Sequence, residues 1–289
     1  MTDKAPTAVE ELSRLLLVEE LDTDLFRGAA CAEAPGRVFG GQVIAQALAA
    51  AAQGVREGFQ AHSLHAYFLR AGDTMRPIIY RVLRDFDGGS FSNRRVVAMQ
   101  GGLPILNLAA SFQRPEEGFS HGTRMPEVLP PQDLPDMAAA LKASGAPFPQ
   151  AMRDRLAAFE IRPGPPSPHG RDENALPSQY LWFRLTSPMT PNPALQRVVL
   201  AYASDFALVT TAVLPHPVKF FSPQIQAASL DHAIWFHEAP PVDDWLLYAM
   251  DGPWSGHARG FARGQIFDRA GRLVASVAQE GLMRLRSAE

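Results

Sequence analysis

Cysteine is nearly missing from this chain. Cys31 stands alone, so no intrachain disulfide can form, and a reducing, cytoplasmic compartment is the expectation. Neither sign of charge is in excess. The formal net charge of −3 gives no overall draw toward nucleic acid or anionic membranes. The opening Met1-Thr2-Asp3-Lys4-Ala5-Pro6 has no apolar stretch behind a basic start, so no secretory signal is expected. The closing Ser287-Ala288-Glu289 is not a peroxisomal Ser-Lys-Leu address. Near the N-terminus the longest uncharged apolar stretch is Val38 to Val55, interrupted by three Gln and three Gly. A buried helix fits it better than a bilayer span. P-loop and dinucleotide fingerprints are also absent.

Against these absences, 289 residues with 46% hydrophobic content can build one large domain or two of ordinary size. Asp205 draws attention first. In Val198 to Leu214 it is the one ionisable acid or base of the Asp, Glu, Lys, Arg or His type. A run apolar on all sides reads as a buried helix over Leu195 to Leu214. A buried carboxylate is costly unless paired, hydrogen-bonded or protonated, so Asp205 either caps a helix or is kept for chemistry.

The chain reads as two copies of one unit. Thr7-Ala8-Val9-Glu10 is a capping box that opens an accessory helix. Gly40 to Gln53 carries helical spacing in Val43, Ala47 and Leu48, with Gly54 placed to stop it. Strands follow at His62–Leu69, Pro77–Arg84, Ser92–Met99 and Leu103–Gln113, the last two joined by a turn at Gln100-Gly101-Gly102. After about 165 residues the order recurs: the Asp205 helix, then strands at Gln226–Phe236, Asp244–Met250, Arg259–Phe267 and Arg272–Arg284, with a turn over Asp268–Gly271. Each unit is expected to be a helix wrapped by a curved antiparallel sheet, an α+β arrangement. The units span 1–115 and 178–289, with a Pro-rich linker over 116–177 that holds short helices at Met137–Ser144 and Ala151–Phe159. The position matching Asp205 in the first unit falls near Gly41 and Gln42. No carboxylate occurs there, so one site per chain is expected.

Several motifs fail on context. Gly118-Phe119-Ser120-His121-Gly122 matches a nucleophile elbow, but a Pro-rich segment follows where that elbow needs a helix. His62 and His65 sit three apart on a strand, so they point to opposite faces, and no Cys or carboxylate cluster accompanies them. Gly256, Gly260 and Gly264 have close-packing spacing, but Arg259 and Arg263 exclude a membrane helix; glycines in a bent strand explain them better. Gln279 is more specific. It shares a face with Leu273, Ala275, Val277, Gly281 and Met283, all apolar, and a core-facing amide must find partners. Whether those partners are backbone or a functional site, periodicity leaves open. Ser229 is of interest only in company with Asp205 and Gln279; by strand alternation Asp231 shares its face.

Val38–Leu48, His62–Asp73, Phe91–Val96, Tyr202-Ala203-Ser204-Asp205, Leu230–His237, Ala258–Gly264 and Val274–Gly281 together resemble the acyl-CoA thioesterase II family. The resemblance covers nearly the whole chain and is weakest from about Pro126 to Ser178. It implies a double hotdog fold and hydrolysis of acyl-CoA to fatty acid and CoA without metal or organic cofactor. It also implies catalytic roles for Asp205, Ser229 and Gln279 around one water, and an oligomer of such subunits. Many relatives carry Thr where this chain has Ser229, which keeps the hydroxyl but loses the methyl that restricts χ1. Arg94, Arg95, Arg259 and Arg263 are candidates for the CoA phosphates. Two rival readings remain: a hotdog hydratase or dehydratase using Asp231-His232, and a non-enzymatic acyl-CoA binding protein.

Overall fold

In the computed structural model, residues 5–30, 35–165, 178–218 and 220–286 are described. The first half runs α1 (Ala8–Leu16), β1 (Val18–Asp22), β2 (Leu25–Gly28), α2 (Gly40–Ala52), β3 (Gln60–Phe68), β4 (Ile78–Asp87), β5 (Phe91–Gln100) and β6 (Leu103–Gln113). The connection holds α3 (Met137–Ser144) and α4 (Gln150–Leu156). The second half runs β7 (Phe159–Pro163), β8 (Ser178–Leu185), α5 (Pro193–Ala203), α6 (Leu208–Val213), β9 (Ile225–Ser229), β10 (Asp231–Phe236), β11 (Leu246–Gly256), β12 (Arg259–Asp268) and β13 (Leu273–Leu285).

Both halves share one antiparallel sheet. Its order is β1-β2-β4-β5-β6-β3-β10-β13-β12-β11-β8-β7, with β9 also paired to β13. The halves join where β3 meets β10, over five residue pairs centred on His65↔Ala233. A one-residue step interrupts β3 against β6 at His62, between the pairs Ala61↔Phe112 and Ser63↔Ser111. The same step recurs 168 residues later at Leu230, between Gly281↔Ser229 and Ala233↔Ala278. The duplication therefore extends to a β-bulge, and the architecture is a double hotdog.

The helices α2 and α5 pack on each other against this sheet. α2 is buried nearly all round, and its alanines permit the approach. A Cβ on Gly41 would fall 2.4 Å from the Tyr202 carbonyl oxygen, so only glycine fits this crossing. The two run in opposite directions: the start of α2 meets the end of α5, while Leu48 and Ala52 share a cavity of about 440 Å³ with Pro193 and Val198. The helix ends follow local chemistry. Thr7 and Glu10 make both bonds of their capping box. Gly54 takes φ +68° just beyond α2. Asn192 caps α5 through Ala194 and Leu195 N–H, with Pro193 in the first turn.

Five sequence expectations need correction. The helix read over Leu195 to Leu214 is broken between α5 and α6, and Asp205 lies in the break. There the Ser204 carbonyl accepts from the Tyr248 hydroxyl at 2.8 Å, and Ser204 Oγ bonds back to Ala201 O at 2.9 Å. The strand read over Gln226 to Phe236 is split by the bulge at Leu230. That step inverts the alternation, so Ser229 faces the helices while Asp231 turns away and accepts from the Glu280 N–H. The stretch read as linker carries β7, the edge strand beside β8. β1 and β2 were not expected, because β1 is a mostly exposed edge strand with little alternation to reveal it. Finally, Gly41 and Gln42 are not the counterparts of Asp205: they open α2, whereas Asp205 follows the end of α5, and the two places touch.

Candidate active site

The break after α5 holds the Asp205 side chain inside the protein, 5% exposed. Burial is the largest influence on it and raises its pKa to about 6. Four groups oppose that shift by favouring the carboxylate. The largest effect comes from Gln279, whose Nε2 donates to Oδ1 at 2.7 Å. The Arg155 charge, the Gly41 backbone N–H and the Ser229 hydroxyl follow in that order. The structure thus gathers Asp205, Ser229 and Gln279 from the helix break, β9 and β13.

Each is positioned by a local device. Gln279 stands on the helix-facing side of β13, 2% exposed, next to Val277 in alternation. Ser229 reaches the same place because of the bulge. Gly41 arrives from the other half. The N-cap of α2 is Phe39, whose side chain makes no capping bond. The positive end of α2 is therefore met by the Asp205 carboxylate, which a helix N-terminus favours. Gly40 is needed beside it, since a Cβ there would lie 2.7 Å from Asp205 Oδ2.

A second layer of buried groups supports this one. His232, 1% exposed, has its Nδ1 at 3.1 Å from Gln279 Nε2 and its Nε2 at 2.8 Å from Ser204 Oγ. Burial pushes the His232 pKa down to about 3, so the ring is neutral and its 3.9 Å approach to Asp205 is no ion pair. An aromatic wall stands beside the site. Phe39 packs edge-on against Tyr202 at 5.0 Å, and Phe159 does so against Phe206 at 5.1 Å. Arg155, from α4, lies 4.1 Å over the Phe39 ring.

The four candidate phosphate-binding arginines lie elsewhere. Arg94 is fully buried and bonded to Asp87 at 2.7 Å and to backbone carbonyls, so it presents no surface to a ligand. Arg95 pairs with Asp85, Arg259 with Glu280 and Arg263 with Asp251. These three stand on the outer face of the sheet, alternating with the inward residues beside them. Ser120 lies in an exposed irregular segment, as its context implied. His62 bonds Ser111, and His65 packs edge-on against Trp235. Among the described residues no cluster of His, Cys, Asp and Glu could hold a metal ion, and no helix is long and apolar enough to cross a membrane.

Sequence reasoning missed Gly41, Arg155 and Ser204, and noticed His232 only as half of an acid–histidine pair. Gly41 and Arg155 act across large separations and leave no local trace. Ser204 lay within a recognised motif without a role assigned to it.

This arrangement, a buried carboxylate with an amide and a hydroxyl at a helix N-terminus inside a double hotdog, fits the class of hotdog thioester hydrolases. Residues 157–282 match the acyl-CoA thioesterase family and residues 31–113 the acyl-CoA thioesterase N-terminal domain. Acyl-CoA thioesterase 2 of Haemophilus influenzae is 38% identical, over 96% of this chain and 98% of its own. Human acyl-coenzyme A thioesterase 8 is also 38% identical, over 95% of this chain and 89% of its own. The crystal structure of the acyl-CoA thioesterase II TesB2 from Mycobacterium marinum superposes with a TM-score of 0.81 at 37% identity, covering 96% of this chain and 99% of that one. The chain belongs to the acyl-CoA thioesterase II family and is a thioester hydrolase.

Proposed function

We propose that this chain hydrolyses acyl-CoA through one water activated by Asp205 and oriented by Ser229 and Gln279. No cysteine among the described residues stands at the site. Ser204, His232 and Asp205 do lie together, but the Ser204 hydroxyl is fully buried and donates to Ala201 O, and the Gln279 amide nitrogen engages both His232 Nδ1 and Asp205, so the trio presents no serine nucleophile to a substrate. Water is then the nucleophile. Asp205 takes a proton from it as its oxygen attacks the thioester carbonyl carbon. The tetrahedral intermediate collapses with cleavage of the C–S bond, and the proton held by Asp205 passes to the leaving thiolate, giving the fatty acid and the CoA thiol and restoring the carboxylate. Ser229 and Gln279 restrict the orientation of the water, which removes part of the entropic barrier. The Gly40 N–H, at the start of α2 beside Asp205, is the candidate donor to the developing oxyanion; the next three are engaged, Gly41 by Asp205 and Gln42 and Val43 by Phe39 O.

The observation that carries this reading is the Asp205 carboxylate itself. A buried acid with a pKa near 6 is ionised at neutral pH and basic enough to accept a proton. For the CoA phosphates, Arg95, Arg259 and Arg263 remain candidates, each needing to exchange its acidic partner for a phosphate. The test is thiol release from a panel of acyl-CoA substrates by wild type and Asp205→Asn. Wild-type release with at least a ~100-fold lower kcat in the variant supports the reading. Hydration of enoyl-CoA without thiol release would favour the hydratase alternative. Tight binding without turnover, unchanged by Asp205→Asn, would favour a binding protein.

A further inference from the structure

His232 is buried, has no role in the chemistry above, and is bonded on both sides. The Gln279 amide nitrogen carries two hydrogens and has two neighbours, Asp205 Oδ1 at 2.7 Å and His232 Nδ1 at 3.1 Å. An ionised carboxylate can only accept, so the amide nitrogen must face Asp205 and the amide oxygen must turn away. His232 Nδ1 then accepts the second amide hydrogen, which places the ring's own proton on Nε2. That N–H donates to Ser204 Oγ at 2.8 Å, and Ser204 donates onward to Ala201 O at 2.9 Å. Every hydrogen along this path has one destination. The path also leaves neither ring nitrogen free to exchange a proton with a substrate.

One atom is left over. Gln279 Oε1 is buried and has no hydrogen-bond partner among the described residues. A buried acceptor left unsatisfied is destabilising, so an oxygen held in that state points to a ligand group that donates to it. We propose that His232 is a positioning residue whose unprotonated Nδ1 holds the Gln279 amide so that Oε1 is offered to the hydrolytic water as a second acceptor beside Asp205. A water that donates to both acceptors has its hydrogens fixed and turns a lone pair toward the thioester carbon. The inference rests on the water mechanism above and adds to it the orientation of the amide. Ser204 extends the same function by fixing the histidine tautomer from the helix break.

Position 232 offers a clean comparison. Leu occupies the matching position in the first half, Leu64. Asn has nearly the shape of Leu but places an acceptor, Oδ1, where His232 has Nδ1. In thiol-release assays, His232→Leu is expected to lower kcat by ~10–100-fold with KM within about twofold, and His232→Asn to return kcat to within ~5-fold of wild type. In a Gln279→Ala background, His232→Leu should change kcat by less than about twofold, because the histidine acts through the glutamine. Equal impairment of the Leu and Asn variants, or losses that multiply in the double variant, would overturn the inference. Should His232→Leu fail to fold in a thermal melt, His232→Gln takes its place, since its amide extends toward Ser204 and offers Gln279 no acceptor at the Nδ1 position. Asp205→Asn assayed alongside separates the two failures. Wild-type kcat in that variant sinks the water mechanism, whereas an inactive Asp205→Asn with no dependence on the acceptor at 232 sinks only the role of His232.

Discussion

The two halves place different chemistry at matching positions. About the β3–β10 centre, Ala61 corresponds to Ser229 and Leu64 to His232; across the neighbouring strand, Ala110 corresponds to Gln279. The first half is hydrocarbon where the second is polar. Tyr80 and Tyr248, 168 residues apart and both fully buried, make the contrast sharper. The Tyr80 hydroxyl donates to Gln46 Oε1 at 2.7 Å, within an unbroken helix. The Tyr248 hydroxyl donates at 2.8 Å to the Ser204 carbonyl, where the second helix has opened. One scaffold therefore tolerates either a continuous helix over an apolar floor or a broken helix over a polar one. The polar version carries a stability cost, since burial alone drives the Asp205 pKa upward.

Removing the carboxylate should break the contrast most. Asp205→Asn is expected to cut kcat by at least ~100-fold, measured by thiol release. It should also stabilise the protein. The Asp205 pKa is raised in the folded state, so stability is highest below the unfolded carboxylate pKa and falls as pH rises through about 6. Thermal melts should therefore show the Asn variant ahead at pH 8, by on the order of 1–3 kcal/mol, with the advantage gone near pH 3. Making the second half resemble the first comes next. Gln279→Ala, copying Ala110, should lower kcat by ~10–100-fold, and Ser229→Ala, copying Ala61, by about 10-fold, while Ser229→Thr stays near wild type. Gly41→Ala attacks the contact between halves: with a Cβ 2.4 Å from Tyr202 O, it should destabilise by ~1–3 kcal/mol in denaturant melts and lower kcat as α2 moves off Asp205. The wild-type kcat–pH profile should fall on the acid side of about pH 6 and stay flat above it, following the ionisation of Asp205. The mildest pair sharpens the comparison. Tyr80→Phe and Tyr248→Phe should each cost ~1 kcal/mol of stability, but only the second should reduce kcat.

Much of this contrast could be read before the fold was seen. The repeat, the helix ending at Gly54, the hairpin glycines and the helix-facing side of Gln279 all follow from local periodicity and turn chemistry. Asp205 stood out because a lone charge in an apolar run has a cost that must be explained. What escaped has a common physical cause. The break at Ser204 is made by a hydroxyl from β11, and the apolar run continues through it without a Gly or Pro. The bulge at Leu230 is one extra residue in a strand of otherwise ordinary composition, yet it decides which face Ser229 occupies. The Phe39-Gly40-Gly41 corner was seen as the start of a helix, but its partner lies more than 160 residues away. Arg94 illustrates the opposite error: a strand arginine suggests a surface, and here it is enclosed by Asp87 and the end of α2.

The carboxylate belongs to one repeat and the helix end that greets it to the other. Neither repeat expressed by itself would assemble a working centre, so severing the chain between them should abolish turnover even if both pieces fold. Covalent tandem linkage also keeps the two at equal numbers and within reach of each other, so an apolar repeat can serve as a permanent supporting partner to the polar one.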